Sequence, residues 1–129
     1  MILRALLVLF AGILIAVVAS TSCDSLTPNL PGNIGVDVVD TAGFPQGYCT
    51  VQVALVGATE SKRQDTTDEA GHVFFGKLDP GEYVIYILGP TEMEFEIVDA
   101  KPYKLSPGRT LTLTIKIDRT KTHEPTLKK

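Results

Sequence analysis

The sequence predicts an all-β domain, an antiparallel β-sandwich, behind an N-terminal export segment. Apolar residues recur at every second position in most runs after residue 34, the period of strands with one buried face. Clusters of turn-forming residues separate these runs at short intervals, and no helical period follows the leader. Two tight turns punctuate the stretch from Thr66 to Leu88, one closed by Gly71 and one at Asp79-Pro80-Gly81. The second reads as a type II turn, with Pro80 setting φ and Gly81 taking a positive φ.

The 129 residues suit one domain, and about twenty of them form the leader, which leaves roughly 100 for a single modest core. The net charge is −3, and Arg4 is the only charged residue before Cys23, so the chain after the leader is one unit more acidic. A weakly acidic chain without a basic run or aromatic-basic interleaving lacks the footprint that phosphate backbones require, which excludes nucleic acid as a partner. Two cysteines exclude a dense disulfide scaffold.

Met1 to Arg4 supplies one positive charge, Ala5 to Ala19 is apolar or small throughout, and Ser20, Thr21 and Ser22 lead to Cys23. This is the layout of a secretory signal over residues 1–22. The apolar run, about fifteen residues, falls short of the roughly 20 that span a bilayer. Thr21-Ser22-Cys23 resembles the lipobox of bacterial lipoproteins, although Ser20 stands where an aliphatic residue is usual. The resemblance implies that Cys23 is thioether-linked to diacylglycerol and becomes the mature N-terminus, so that acyl chains hold the domain at a membrane. Ordinary cleavage near Ser20 or Ser22 and an uncleaved anchor are the alternatives. Residues 23–33, with Pro28 and Pro31, read as a semi-extended tether.

The sandwich is expected over residues 34–118. Val36 and Val38 alternate with Asp37 and Val39 on a first strand, and Thr41 to Gly47 is a turn cluster. Cys49, Val51, Val53 and Leu55 share one face of the next strand, and Gly57 to Gln64 reads as a polar loop. After the Gly71 turn, Val73 and Phe75 point one way, and His72 and Phe74 the other. Tyr83, Ile85 and Ile87 alternate with Val84, Tyr86 and Leu88, and then Met93, Phe95 and Ile97 with Glu92, Glu94 and Glu96. In the last strand Leu111, Leu113, Ile115 and Ile117 face in while Thr110, Thr112, Thr114 and Lys116 face out. Residues 119–129 are polar, contain Pro125, and read as a flexible tail.

Several blocks resemble the carboxypeptidase regulatory-like domains and the related collagen-adhesin B-type and transthyretin-like sandwiches. They are Val36-x-Val38-x-Asp40-x-x-Gly43-x-Pro45, Val51-x-Val53, Thr67-Asp68-x-x-Gly71-x-Val73-x-Phe75-x-x-Leu78-x-Pro80-Gly81-x-Tyr83, and Leu105-x-x-Gly108. The resemblance covers about residues 34–117. It implies a seven-stranded Greek-key sandwich, usually without enzymatic activity, that serves as a spacer, adhesion or accessory-binding module. The first strand has no Lys and the last no Asn, so the isopeptide cross-link of some collagen-adhesin repeats is not expected. The C-terminal Tyr-Arg-Gly-Ser of transthyretin-like hydrolases is missing as well.

Cys49 sits on the inward face, as a small buried hydrophobe; pairing with Cys23 is the alternative if Cys23 carries no lipid. His72 and His123 are isolated in sequence, and no spacing supplies a metal site. Asp65, Asp68 and Glu69 crowd one loop, where Asp68 starts the turn through its side chain. Glu92, Glu94 and Glu96 form an acidic stripe of the sort that solvates an edge and discourages strand addition. Phe74, Val84, Tyr86 and Leu88 lie on faces opposite the predicted core and are the candidate partner patch.

The expectation is an exported, lipid-anchored, non-catalytic module with a binding or structural role at the cell envelope, in the membrane or periplasm. Its partners are the membrane through Cys23 and a protein or carbohydrate; no cofactor, metal or catalytic residue is expected. A small transthyretin-like hydrolase and an accessory subunit of an envelope complex are the alternatives.

Overall fold

The structure is a computed structural model that describes residues 30–127. The leader, Cys23 and most of the tether lie outside the described residues. Eight strands follow one another: β1 (Gly32–Asp40), β2 (Thr50–Leu55), β3 (Arg63–Thr66), β4 (His72–Leu78), β5 (Gly81–Leu88), β6 (Glu94–Ile97), β7 (Tyr103–Leu105) and β8 (Thr110–His123). There is no helix among the described residues.

The strands pair in the order β3-β2-β5-β6-β8-β1-β4, with β7 added to β5. This strip is folded over, because residues of β1, β4 and β8 share one core cluster with residues of β2 and β5. Its free edges nearly meet: Arg63 Nη1 on β3 donates to the Gly76 carbonyl on β4 at 2.8 Å, and Lys62 pairs with Asp79 at 3.1 Å.

The period-two pattern predicts the inward faces well. Ile34, Val36, Val38, Val51, Val53, Tyr83 and Ile87 are fully buried, as are Ile115 and Ile117. Leu55 departs from its predicted face and is 38% exposed at the end of β2. The turn at Gly71 is built as its residues require. The Asp68 side chain accepts the amides of Ala70 and His72, both at 2.9 Å, and Gly71 stands at φ +76.

Other expectations are corrected. Eight strands replace seven, because β3 begins in the last two residues of the expected Gly57 to Gln64 loop and runs to Thr66, and β7 is a three-residue strand. The β3 residues are exposed throughout, so no apolar alternation marks them. The sheet is not wholly antiparallel: β1 and β8 run parallel, from Asn33 opposite Thr110 to Asp40 opposite Ile117. The whole domain lies between them in sequence, so no hairpin forces them antiparallel. Gly81 does not take a positive φ; the left-handed residue is Lys77, at φ +56, four positions earlier. Between the pairs Gly32↔Leu78 and Ile34↔Phe75, β4 carries one residue more than β1, and this bulge bends the chain before the turn.

The last strand also runs past its expected end at 118, as far as His123. Residues 119–121 bulge out between the pairs Glu96↔Asp118 and Phe95↔Thr122. Asp118 Oδ1 closes the bulge by accepting the amide and hydroxyl of Thr120, at 3.0 and 2.6 Å, and these bonds hold its carboxyl below the usual carboxylate range. Beyond it the chain stays on the sheet, and Leu127 is 4% exposed.

Candidate interaction surface

The four residues of the candidate patch do not come together. Phe74 is 54% exposed on β4, an edge of the strip, opposite Gly35 of β1. Val84 and Tyr86 lie half-buried on β5, which pairs with β2, and Leu88 is only 2% exposed. Alternation alone puts Leu88 outside, but it is buried where it pairs with Glu94, the residue that binds the C-terminal segment.

Glu94 is likewise no member of a solvated stripe. Its side chain is 6% exposed and fully engaged: Oε1 accepts the Thr126 amide, Oε2 accepts the Thr126 hydroxyl, and His123 Nε2 faces Oε2, each at 3.0 Å. A buried carboxylate persists when its oxygens meet donors in this way. His123 Nδ1 lies 2.8 Å from the Glu124 carbonyl, so the imidazole bridges the sheet and the segment after β8. Nothing local in the sequence marks this cluster, since His123 and Thr126 lie 29 and 32 positions from Glu94.

Val84 and Tyr86 instead line a cleft of about 290 Å³ with Ile85, Glu94, Phe95, Glu96, Ile97, Ala100 and His123. It arises because β6 keeps β8 as a neighbour and parts from β5. The strand pairs with β8 along its length, from Glu94 opposite His123 to Ile97 opposite Ile117, but with β5 only at Glu94 opposite Leu88, and just past its end Val98 donates to the Lys116 carbonyl at 2.8 Å. The chain leaves β5 there and returns only at β7, where Tyr103 meets Tyr83. The walls are apolar with a few polar groups, and the volume lies at the lower end of the range for small binding sites.

His72 and Asp37 form an ion pair across β4 and β1, where they are register partners. The hydrogen bond to Asp37, with its charge and that of Asp68, holds the His72 imidazole above its ordinary 6.5. A raised value means stability that is fully present below about pH 6.5 and lost as pH rises through the folded-state value. Both side chains are more than 40% exposed, at 49% and 42%, so solvent limits the gain to below about 1 kcal/mol. His72→Gln is expected to remove this part of the pH dependence, the loss of stability as pH rises above about 6.5, in thermal unfolding of the protein, leaving stability at high pH almost unchanged.

Cys49 is buried at 5% exposure, as its position on the inward face requires, and burial pushes its thiol up against a smaller opposing effect of Arg119. Its alternative partner Cys23 lies outside the described residues. Phe44 and Tyr48, at 67% and 63% exposure, are the most exposed aromatics of the described chain. They flank a loop braced by Asp40, whose carboxylate accepts the amides of Ala42 and Phe44 at 2.9 and 3.0 Å.

No protein-family model matches the chain, and no curated protein matches it in sequence. Among solved structures it is similar to the major pilin subunit BcpA of Bacillus cereus, with a TM-score of 0.50 and 17% identity over 70% of this chain and 30% of the pilin. A variant of that pilin gives a TM-score of 0.52 at the same identity and coverage. The Bacillus anthracis TIE protein gives 0.50 at 15% identity, over 68% of this chain and 16% of that protein. The chain thus spans less than a third of each of these proteins. At such identity the likeness is one of fold, and it places the domain among β-sandwiches of the kind found in bacterial pilin subunits.

Proposed function

We propose that the protein is an exported, lipid-anchored, non-catalytic β-sandwich module with a binding or structural role at the cell envelope. The observation that carries this reading is the shared fold: the domain corresponds to a portion of proteins described as pilin subunits. The leader and Cys23 support the export and the anchor, because acyl chains on Cys23 would hold the module at a membrane surface. The cleft beside β5 favours a binding role over that of a plain spacer.

The test is the fate of Cys23. In a bacterial host the protein is expected in the membrane fraction, with a mass fitting residues 23–129 plus acyl groups, and Cys23→Ser is expected to move most of it into the soluble exported fraction. Retention of Cys23→Ser in membranes, or an unacylated wild-type mass short by two hydrogens, rejects the lipid anchor. The second result would instead mean a Cys23 to Cys49 disulfide.

A further inference from the structure

Along its edge facing β6 and β7, strand β5 has a stretch without a neighbour. β7 stops opposite Tyr83, and β6 starts opposite Leu88. Successive residues of a strand turn their N–H and C=O groups to opposite sides. The phase here is set by Glu82, whose carbonyl accepts from Val56 on the β2 side, and by Gly89, whose amide donates to Met93 on the β6 side. Odd-numbered residues of β5 therefore aim their main-chain groups at the β6 and β7 edge, and those of Ile85 fall between the two strands. Ile85 is 3% exposed and lines the cleft. A buried donor and acceptor in this position call for a partner.

The facing wall has the same character. Val98 turns its amide to β8, so the neighbouring Ile97 turns its main chain the other way, toward β5. Phe95, Tyr86 and Val84 supply apolar contact, and the exposed Glu96 carboxylate makes no ion pair with any described residue. Glu94, by contrast, is occupied by His123 and Thr126. We propose that this cleft is a docking slot for an extended segment of a partner protein, which pairs with the main chain of Ile85 and sets a lysine or arginine against Glu96. The inference rests on the reading of the chain as a binding module. The unpaired stretch from Val84 to Tyr86 admits about three residues at roughly 3.3 Å each. A carbohydrate or water alone would satisfy the main chain without a preference for positive charge.

The test is titration of the ¹⁵N-labelled full chain, in detergent micelles, with the peptides Ac-Val-Lys-Val-NH₂ and Ac-Val-Glu-Val-NH₂. The lysine peptide is expected to shift the Ile85 amide saturably, with a Kd of about 1 mM or tighter, and the glutamate peptide to bind at least about tenfold more weakly. Ala100→Trp, a substitution at an exposed residue of the cleft, is expected to abolish the shift while leaving the remaining spectrum in place. Glu96→Gln is expected to bring the two peptides to similar affinity. An Ile85 amide already protected from hydrogen exchange in the free protein, equal binding of both peptides to the wild type, or no shift with either overturns the slot. Membrane fractionation of Cys23→Ser is independent of this titration, so failure of the slot and failure of the anchored-module reading are separable.

Discussion

Phe75→Ala is expected to lower the unfolding free energy by about 3–5 kcal/mol, whereas Phe74→Ala, one residue away, is expected to change it by no more than about 0.5 kcal/mol. Phe75 is 1% exposed, stands opposite Ile34 and belongs to the core between the two layers of the folded strip. Its removal loses the transfer free energy of a full aromatic ring and leaves a cavity that neighbouring strands, held by their ladders, collapse into only partly. Phe74 lies on the outer face at 54% exposure, beside Gly35, whose position offers no side chain for it to pack upon. Urea unfolding followed by circular dichroism measures both. Equal losses would mean that the outer face of β4 is covered and that Phe74 is no free surface residue.

Gly71→Ala is expected to cost roughly 3 kcal/mol or more, from two additive causes. The residue sits at φ +76, where a side chain costs about 1–2 kcal/mol. A Cβ there would also stand 2.6 Å from the Val38 carbonyl oxygen and 2.9 Å from the Gln46 amide nitrogen, both main-chain atoms that move only if β1 and its following loop move. Gly43→Ala separates the two causes. It has φ +90, and nothing lies within 4 Å of the position its methyl would take, so only the conformational part, about 1–2 kcal/mol, is expected. Thermal unfolding of the two variants side by side gives the comparison, and equal losses would show that the close approach at Gly71 relaxes at no cost.

Gly71 and the Pro-Gly pair further on show how far the sequence reaches. Gly71 is legible because its turn is local: Asp68 lies three residues away, and its carboxylate bonds to amides two and four positions on. Gly81 looks equally local, behind Asp79-Pro80, yet the positive φ falls at Lys77, because a bulge against β1 has already bent the strand. The register between β1 and β4 is a contact across roughly forty residues. No turn pattern at the Pro-Gly pair records it.

The candidate patch comes apart for a similar reason. Alternation assigns Val84, Tyr86 and Leu88 to one face of β5 correctly, but it does not say what else lies on that face. Glu94, His123 and Thr126 bring the chain beyond β8 back to the sheet, and Leu88 is buried at that end while Val84 and Tyr86 border the cleft. The acidic alternation Glu92, Glu94, Glu96 reads as three equivalent carboxylates, whereas Glu94 is buried and bonded and Glu96 is exposed. Equal spacing along a strand carries no information about which positions a distant segment will cover.

By itself the sequence determined the all-β class, the inward residues of nearly every long strand, the Asp68 to Gly71 turn and the buried position of Cys49. Each of these follows from a period of two or from a bond within a few residues. Only the tertiary structure decided the parallel pairing of β1 with β8, the short exposed strand β3, the folding back of the C-terminal segment onto Glu94, and the cleft opened where β6 stays with β8 and parts from β5. These depend on which strands become neighbours. Neighbours are chosen by burying one shared core, a property of the whole chain that no stretch of it carries alone.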